Sequence, residues 1–264
     1  SHHANLALAL EELSGDDPQR LAYHFSCAGN NEKAIKYIIL AAEEACHTLA
    51  FNQAVQFYQK ALELATKSSE LENLSLGIQK QDLEIKLADS LAFAGRSREA
   101  AKIYIAVADE ICNLCITDNL ALKFQQRAAE ELFRCGHIDE GLEVLSSVLN
   151  KVGIKVPTMR WQSLLSFVFR RLWIQLRGLE TKEVSADKIS LDTLLQVDIC
   201  WTGAIGLSLV DSMLGADFQT RHLLLALKIG EPYRLARALT LEIPYSAIDG
   251  ARDWTKTNQL IEKV

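Results

Sequence analysis

LADSLAFAGRSREAAKIYIAV, residues 87–107, is the stretch whose reading decides the fold. Leu87, Leu91 and Ala94 recur on one helical face, Gly95 can take the left-handed conformation that ends a helix, and Ser97 can cap the next helix through its hydroxyl. On the second arm Ala100, Ile103, Tyr104 and Val107 return at helical spacing, and Ala100 is small enough to let the first arm approach. The stretch therefore predicts an antiparallel helical hairpin. Its skeleton is a small residue and Gly, with another small residue five positions beyond the Gly. The same skeleton occurs at Ala28-Gly29 to Ala34 and at Cys135-Gly136 to Gly141. A repeated hairpin implies a solenoid.

Composition supports that reading. The 264 residues are 49% hydrophobic with only 4 Pro, and alternating Val/Ile/Thr segments are nearly lacking, so the expectation is an all-α protein. A formal net charge of -6 opposes binding to phosphate backbones, so nucleic acid is not expected as a partner. Six cysteines sit mostly where a small apolar residue would fit a helix, a pattern of reduced thiols that suggests a cytoplasmic protein. No run of about 18 apolar residues exists, and no secretory signal opens the chain. The start without Met and the stop at Val264 within a helix-like segment suggest a piece of a longer protein.

Taken in order, the chain reads as one array, 1–264. Residues 1–153 carry the regular hairpins. Asp17 caps a helix with Pro18 at its first position, Asn30 or Asn31 caps the next, Phe51 staples the helix from about Asn52, and Thr117-Asp118 supplies a further cap. Residues 154–189 form a linker containing Pro157 and a basic amphipathic helix. Residues 190–264 hold further hairpins: a strongly apolar helix capped by Ser190 and thinned at Gly203 and Gly206, helices over 217–229 and 232–247 with Pro244 expected to kink the latter's body, and a truncated last arm from Gly250.

The small-residue spacing in AFNQAVQFYQKALEL (50–64) and AGRSREAAKIY (94–104) resembles tetratricopeptide repeats, with Tyr58 and Tyr104 as the aromatics of the second helices. Ala54, Ala100 and Gly141 match the family's small positions, but they are spaced more widely than its usual 34 residues, which implies an irregular array of longer repeats. More narrowly, RLAYHFSCAGNNEKAIKYIILAAEEA (20–45), RLWIQLRG (171–178) and GADFQTRHLLLALKIGEPYRLARALTLE (215–242) resemble the helical region following the AAA/STAND-type ATPase module of large bacterial signalling proteins. Many of those carry a serine/threonine kinase domain, and others are transcriptional regulators. The resemblance implies a parent chain that binds ATP and phosphorylates partners, with none of the residues that do so present in this segment.

No constellation in the sequence supports chemistry. GxxxxGK[ST] is missing, Gly203-Ala204-Ile205-Gly206 lacks the lysine, and Ala216-Asp217-Phe218-Gln219 lacks the glycine and strand context of a kinase DFG. Cys112, Cys115, Cys135 and His137 could supply four zinc ligands, but a mid-helix CxxC lacks the turn of a zinc knuckle, and small core residues explain it better. His24, His47 and His222 lie at no recognisable spacing from a nucleophile. Glu43-Glu44, Glu130-Glu131 and Asp139-Glu140 point about 100° apart on their helices and read as solvated faces. Catalytic, cofactor-binding and metal residues are therefore all assigned as none, and no cofactor is expected in this segment.

The segment Trp161 to Leu179 stands apart, because Arg160, Arg170, Arg171 and Arg177 meet no acid nearby in sequence. Three readings follow: an interfacial membrane helix, a contact for an acidic partner, or a helix whose apolar face docks on its neighbours while its arginines meet acids of the same or the parent chain. The third is the expectation. The functional expectation is non-catalytic: a protein-interaction or effector-sensing segment binding a protein, peptide, neighbouring domain or small effector. The alternative is a scaffold or oligomerisation segment that senses nothing.

Overall fold

The structure, a computed structural model, describes residues 2–12, 17–67, 80–113, 118–156 and 160–249. Every regular element among them is helical. The chain divides into two compact units, Ser1–Glu110 and Ile111–Val264.

In the first unit, α1 (His2–Glu12), α2 (Pro18–Cys27), α3 (Asn31–His47), α4 (Phe51–Lys67) and α5 (Lys80–Phe93) pack each against the next, and α6 (Ser97–Asn113) follows. Asp17 caps α2 by accepting from Gln19 N at 2.8 Å, and Asn30 caps α3 by accepting from Lys33 N at 3.1 Å. Polar side chains then tie non-adjacent helices. Glu11 of α1 accepts from Lys33 Nζ at 2.6 Å and from the Tyr37 hydroxyl at 2.7 Å on α3. Lys86 of α5 reaches Glu43 of α3 at 2.6 Å.

The quoted hairpin is α5 and α6. Gly95 has φ 78°, with Arg96 N bonded to Leu91 O at 2.8 Å, the backbone closure that ends a helix in the left-handed region. Gly29 and Gly136 close α2 and the helix before Gly136 in the same way. Ala100 and Tyr104 are fully buried, and the Tyr104 hydroxyl donates to Asp89 across the hairpin at 2.5 Å. Ser97 is not a cap as expected. It is the first residue of α6 and is buried, while Arg96 O accepts the opening bonds and the Arg96 guanidinium grips Glu99 with two 2.7 Å contacts. Phe51 likewise lies inside α4, stacked on Phe93 at 5.0 Å, rather than preceding it as a staple.

A fourth closure was not legible as one. Leu49 stands at φ 60°, with Ala50 N bonded to Ala45 O at 2.8 Å, and Ala54, five positions on, is fully buried. The hairpin skeleton is therefore repeated at α3–α4 with leucine where the other turns have glycine.

In the second unit, α7 (Asp118–Arg134), α8 (Ile138–Lys151), α9 (Arg160–Arg177), α10 (Leu191–Ser208), α11 (Ser212–Ile229) and α12 (Pro232–Asp249) are arranged around α10 and α11. α10 contacts α7, α8, α11 and α12, and α9 packs on α11. A helix apolar on all sides is one the fold must surround, and α10 answers that description. One core joins Phe133, Leu145, Leu149, Ile199 and Phe218, and a second joins Ile174, Val197, Leu223, Leu227 and Leu239. Close approach depends on Gly203 and Gly206, where a Cβ would lie 2.6 Å from the Phe218 ring and 2.2 Å from the Phe133 ring. Ser190 caps α10, accepting from Thr193 N at 3.3 Å.

α11 begins at Ser212, capped by Asp211, so Asp217 lies inside the helix rather than at its start. Pro244 sits within α12 as the sequence indicated. The segment between α9 and α10 straps the end of α11: the Thr181 hydroxyl donates to Leu227 O at 2.7 Å and Val184 N to Gly230 O at 2.9 Å. Thr117, Pro157 and Gly250, read from sequence as cap, linker break and arm opening, lie outside the described residues.

Candidate interaction face

α9 carries its charge inward and its apolar surface outward. Ser163 and Ile174 are buried on the side of α9 that packs on α11, and Arg170, Arg171 and Arg177 reach the same way. Arg170 donates to Asp217 of α11, whose carboxylate has no exposed surface and also accepts from Arg221 Nε at 2.9 Å. Arg171 donates to Glu242 of α12, itself buried. Arg177 donates to Leu227 O at 3.0 Å. Arg170, Arg171 and Arg177 are thus answered by acids and a carbonyl from distant parts of the same unit.

The opposite face is solvent-facing. Trp161, Leu165, Val168, Phe169, Leu172 and Leu176 lie on it, Phe169 71% and Leu176 83% exposed. Their spacing of three and four residues places them on one side of the helix for about 22 Å. The expected docking of this apolar face on neighbouring helices is therefore corrected: the ion pairs with Asp217 and Glu242 rotate α9 so that its polar side is covered. The acids that decide this were not identified from the sequence. The signal available was a single Asp and a single Glu in helical stretches that hold no other acid, LGADFQTRHLLLAL and LTLEIP.

Behind α9 an open cleft of about 310 Å³ is lined by Arg170, Gln196, Cys200, Arg221, Leu224 and Ile154 among others. Its chemistry is limited. Burial pushes the Cys200 thiol up to about 12, so it stays protonated and is a poor nucleophile. His222, also buried, is pushed down to about 3 by desolvation and by the nearby guanidinium groups of Arg237 and Arg234. Arg237 lies over the Trp201 ring at 4.0 Å, and that ring is 5.5 Å from His222. Arg234 forks onto Asp198 at 3.0 and 2.5 Å.

The other sequence candidates fall apart in space or in chemistry. Cys112 and Cys135 are exposed rather than the small core residues expected, Cys135 donating to Leu132 O, while His137 approaches Glu140 at 3.3 Å; Cys115 lies outside the described residues. Among the described residues no group of three or more His, Cys, Asp or Glu could hold a metal. His24 contacts His3 at 2.9 Å and His47 is exposed. Glu131 departs from the expected solvated face: it is buried, with Arg134 at 2.9 Å. No helix among the described residues is long and apolar enough to cross a membrane. Comparison with protein-family models and with the curated proteins finds no match for this chain.

Proposed function

We propose that this chain is a non-catalytic protein-interaction module, and that the outward face of α9 is its docking surface. The observation that carries the reading is the uninterrupted apolar stripe from Trp161 to Leu176, left solvent-facing on a helix whose Arg170 and Arg171 are already paired within the unit. Monomeric soluble proteins rarely expose contiguous apolar patches beyond roughly 300–600 Å², and larger ones mark interaction sites. A binding role without chemistry is supported by the cleft, whose thiol is held protonated. The tetratricopeptide-like, irregular hairpin array rests on the sequence resemblance of residues 50–64 and 94–104, and the place in a cytoplasmic bacterial signalling ATPase, a serine/threonine kinase in particular, on that of residues 20–45, 171–178 and 215–242. Under that reading the module receives a protein, peptide or neighbouring domain and biases the parent's activity.

The test is the double variant Phe169→Glu/Leu172→Glu, melted at concentrations low enough to suppress self-association. A docking face can be charged without harm to the fold, so the variant keeps the wild-type helix signal and melts within about 2 °C of it. If it loses cooperative melting, the face is part of the core and the reading fails.

A further inference from the structure

We infer that the occupant of this face is the α9 of a second copy of the chain, paired antiparallel about a twofold axis between Val168 and Phe169. The inference rests on the reading of α9 as a docking surface and names the partner.

Three observations carry it. The first is area. The eight exposed apolar residues of α9 present on the order of 900 Å², taking full side chains of their types at roughly 150–250 Å². A stable protein–protein interface buries about 800 Å² per partner, so this one face suffices.

The second is spacing. A twofold contact is isologous, so a residue set that forms one must map onto itself when the helix is reversed. The stripe does: Trp161 falls opposite Leu176, Leu164 opposite Trp173, Leu165 opposite Leu172 and Val168 opposite Phe169. Each indole meets a leucine rather than another indole, so wide and narrow side chains alternate across the seam.

The third is charge. A like-charged face would repel its own copy, but Arg170 and Arg171 are turned inward onto Asp217 and Glu242, and the stripe itself carries no ionisable side chain. The same inversion disfavours a lipid surface, because an interfacial helix uses outward cations at the headgroups, whereas Arg170, Arg171 and Arg177 are directed into the protein.

The experiment uses the whole chain. Its mass is followed by light scattering during size-exclusion chromatography from about 1 to about 200 µM, a range in which an interface of this size populates the dimer. The expected mass rises from 29.4 kDa to twice that value. Phe169→Glu/Leu172→Glu raises the dissociation constant roughly a hundredfold or more, as loss of central apolar anchors does. In a background with Cys27, Cys112 and Cys135 changed to Ser, Val168→Cys forms an interchain disulfide under mild oxidation and Trp161→Cys does not. A wild-type chain that stays monomeric throughout overturns the inference, as does a dimer that survives in the folded double variant. Flotation of the monomer with phosphatidylcholine–phosphatidylserine vesicles overturns it in favour of a lipid surface. A folded double variant beside a monomeric wild type removes the second copy as occupant and leaves the docking reading standing, whereas an unfolded double variant removes the docking reading itself.

Discussion

The guanidinium of Arg170 on α9 donates to the carboxylate of Asp217 on α11, a group with no exposed surface that also holds Arg221. This contact selects which side of α9 faces the protein. Arg221 continues the network to Lys155 O at 3.1 Å, so one buried acid links three segments of the second unit.

Removing that acid leaves two guanidinium groups poorly compensated in a desolvated setting, which is far costlier than losing an exposed pair. Asp217→Ala should destabilise the second unit by about 3 kcal/mol, and Asp217→Asn, which still accepts a hydrogen bond, by less. Urea unfolding monitored by helix signal checks this. A loss below about 1 kcal/mol for the alanine variant would show that the pairing does not fix α9.

His222 gives a pH dependence of definite sign. Its folded pKa is pushed down to about 3, below the unfolded value of about 6.5, so the unfolded chain binds the extra proton first as pH falls. The stability associated with the neutral ring is complete above about pH 6.5 and declines below it, by up to about 1.4 kcal/mol per pH unit, until about pH 3. His222→Gln should flatten the stability profile between pH 6 and 4, in terms of unfolding midpoints, relative to the wild type. Parallel profiles would refute the assignment.

Cys200 should be silent to thiol reagents in the native state. It is buried with its pKa pushed up to about 12, whereas Cys27, Cys112 and Cys135 are exposed. Iodoacetamide at pH 8 followed by peptide mass mapping should label the three exposed thiols within minutes and Cys200 only after denaturation. Rapid native labelling of Cys200 would mean that α10 opens readily.

Leu49 holds a left-handed backbone that costs an L side chain roughly 1–2 kcal/mol, and it is 73% exposed, so little packing is lost on removing it. Leu49→Gly should raise stability by about 0.5–1 kcal/mol, the relief of strain outweighing the extra freedom of the unfolded chain. A lower melting temperature for the glycine variant would contradict that balance.

Helical periodicity and turn chemistry are local, and the sequence alone determined what depends on them: the helical class of the described elements, the hairpin of Ala94-Gly95 to Ala100, the caps at Asp17 and Ser190, a cap at Asn30 or Asn31 that the structure places on Asn30, and the tight packing of Gly203 and Gly206. The turn at Leu49 escaped because the fold imposes there a backbone that its residue type does not request. The orientation of α9 escaped for a different reason. A helix with arginines on one side and Trp, Phe and Leu on the other can turn either side inward, and the choice depends on Asp217 and Glu242, placed 47 and 71 residues from their arginine partners. Tertiary structure alone brings those acids to α9, where Asp217 and Glu242, buried without guanidinium partners, would be strongly unfavourable, and the apolar stripe is left for another surface to cover.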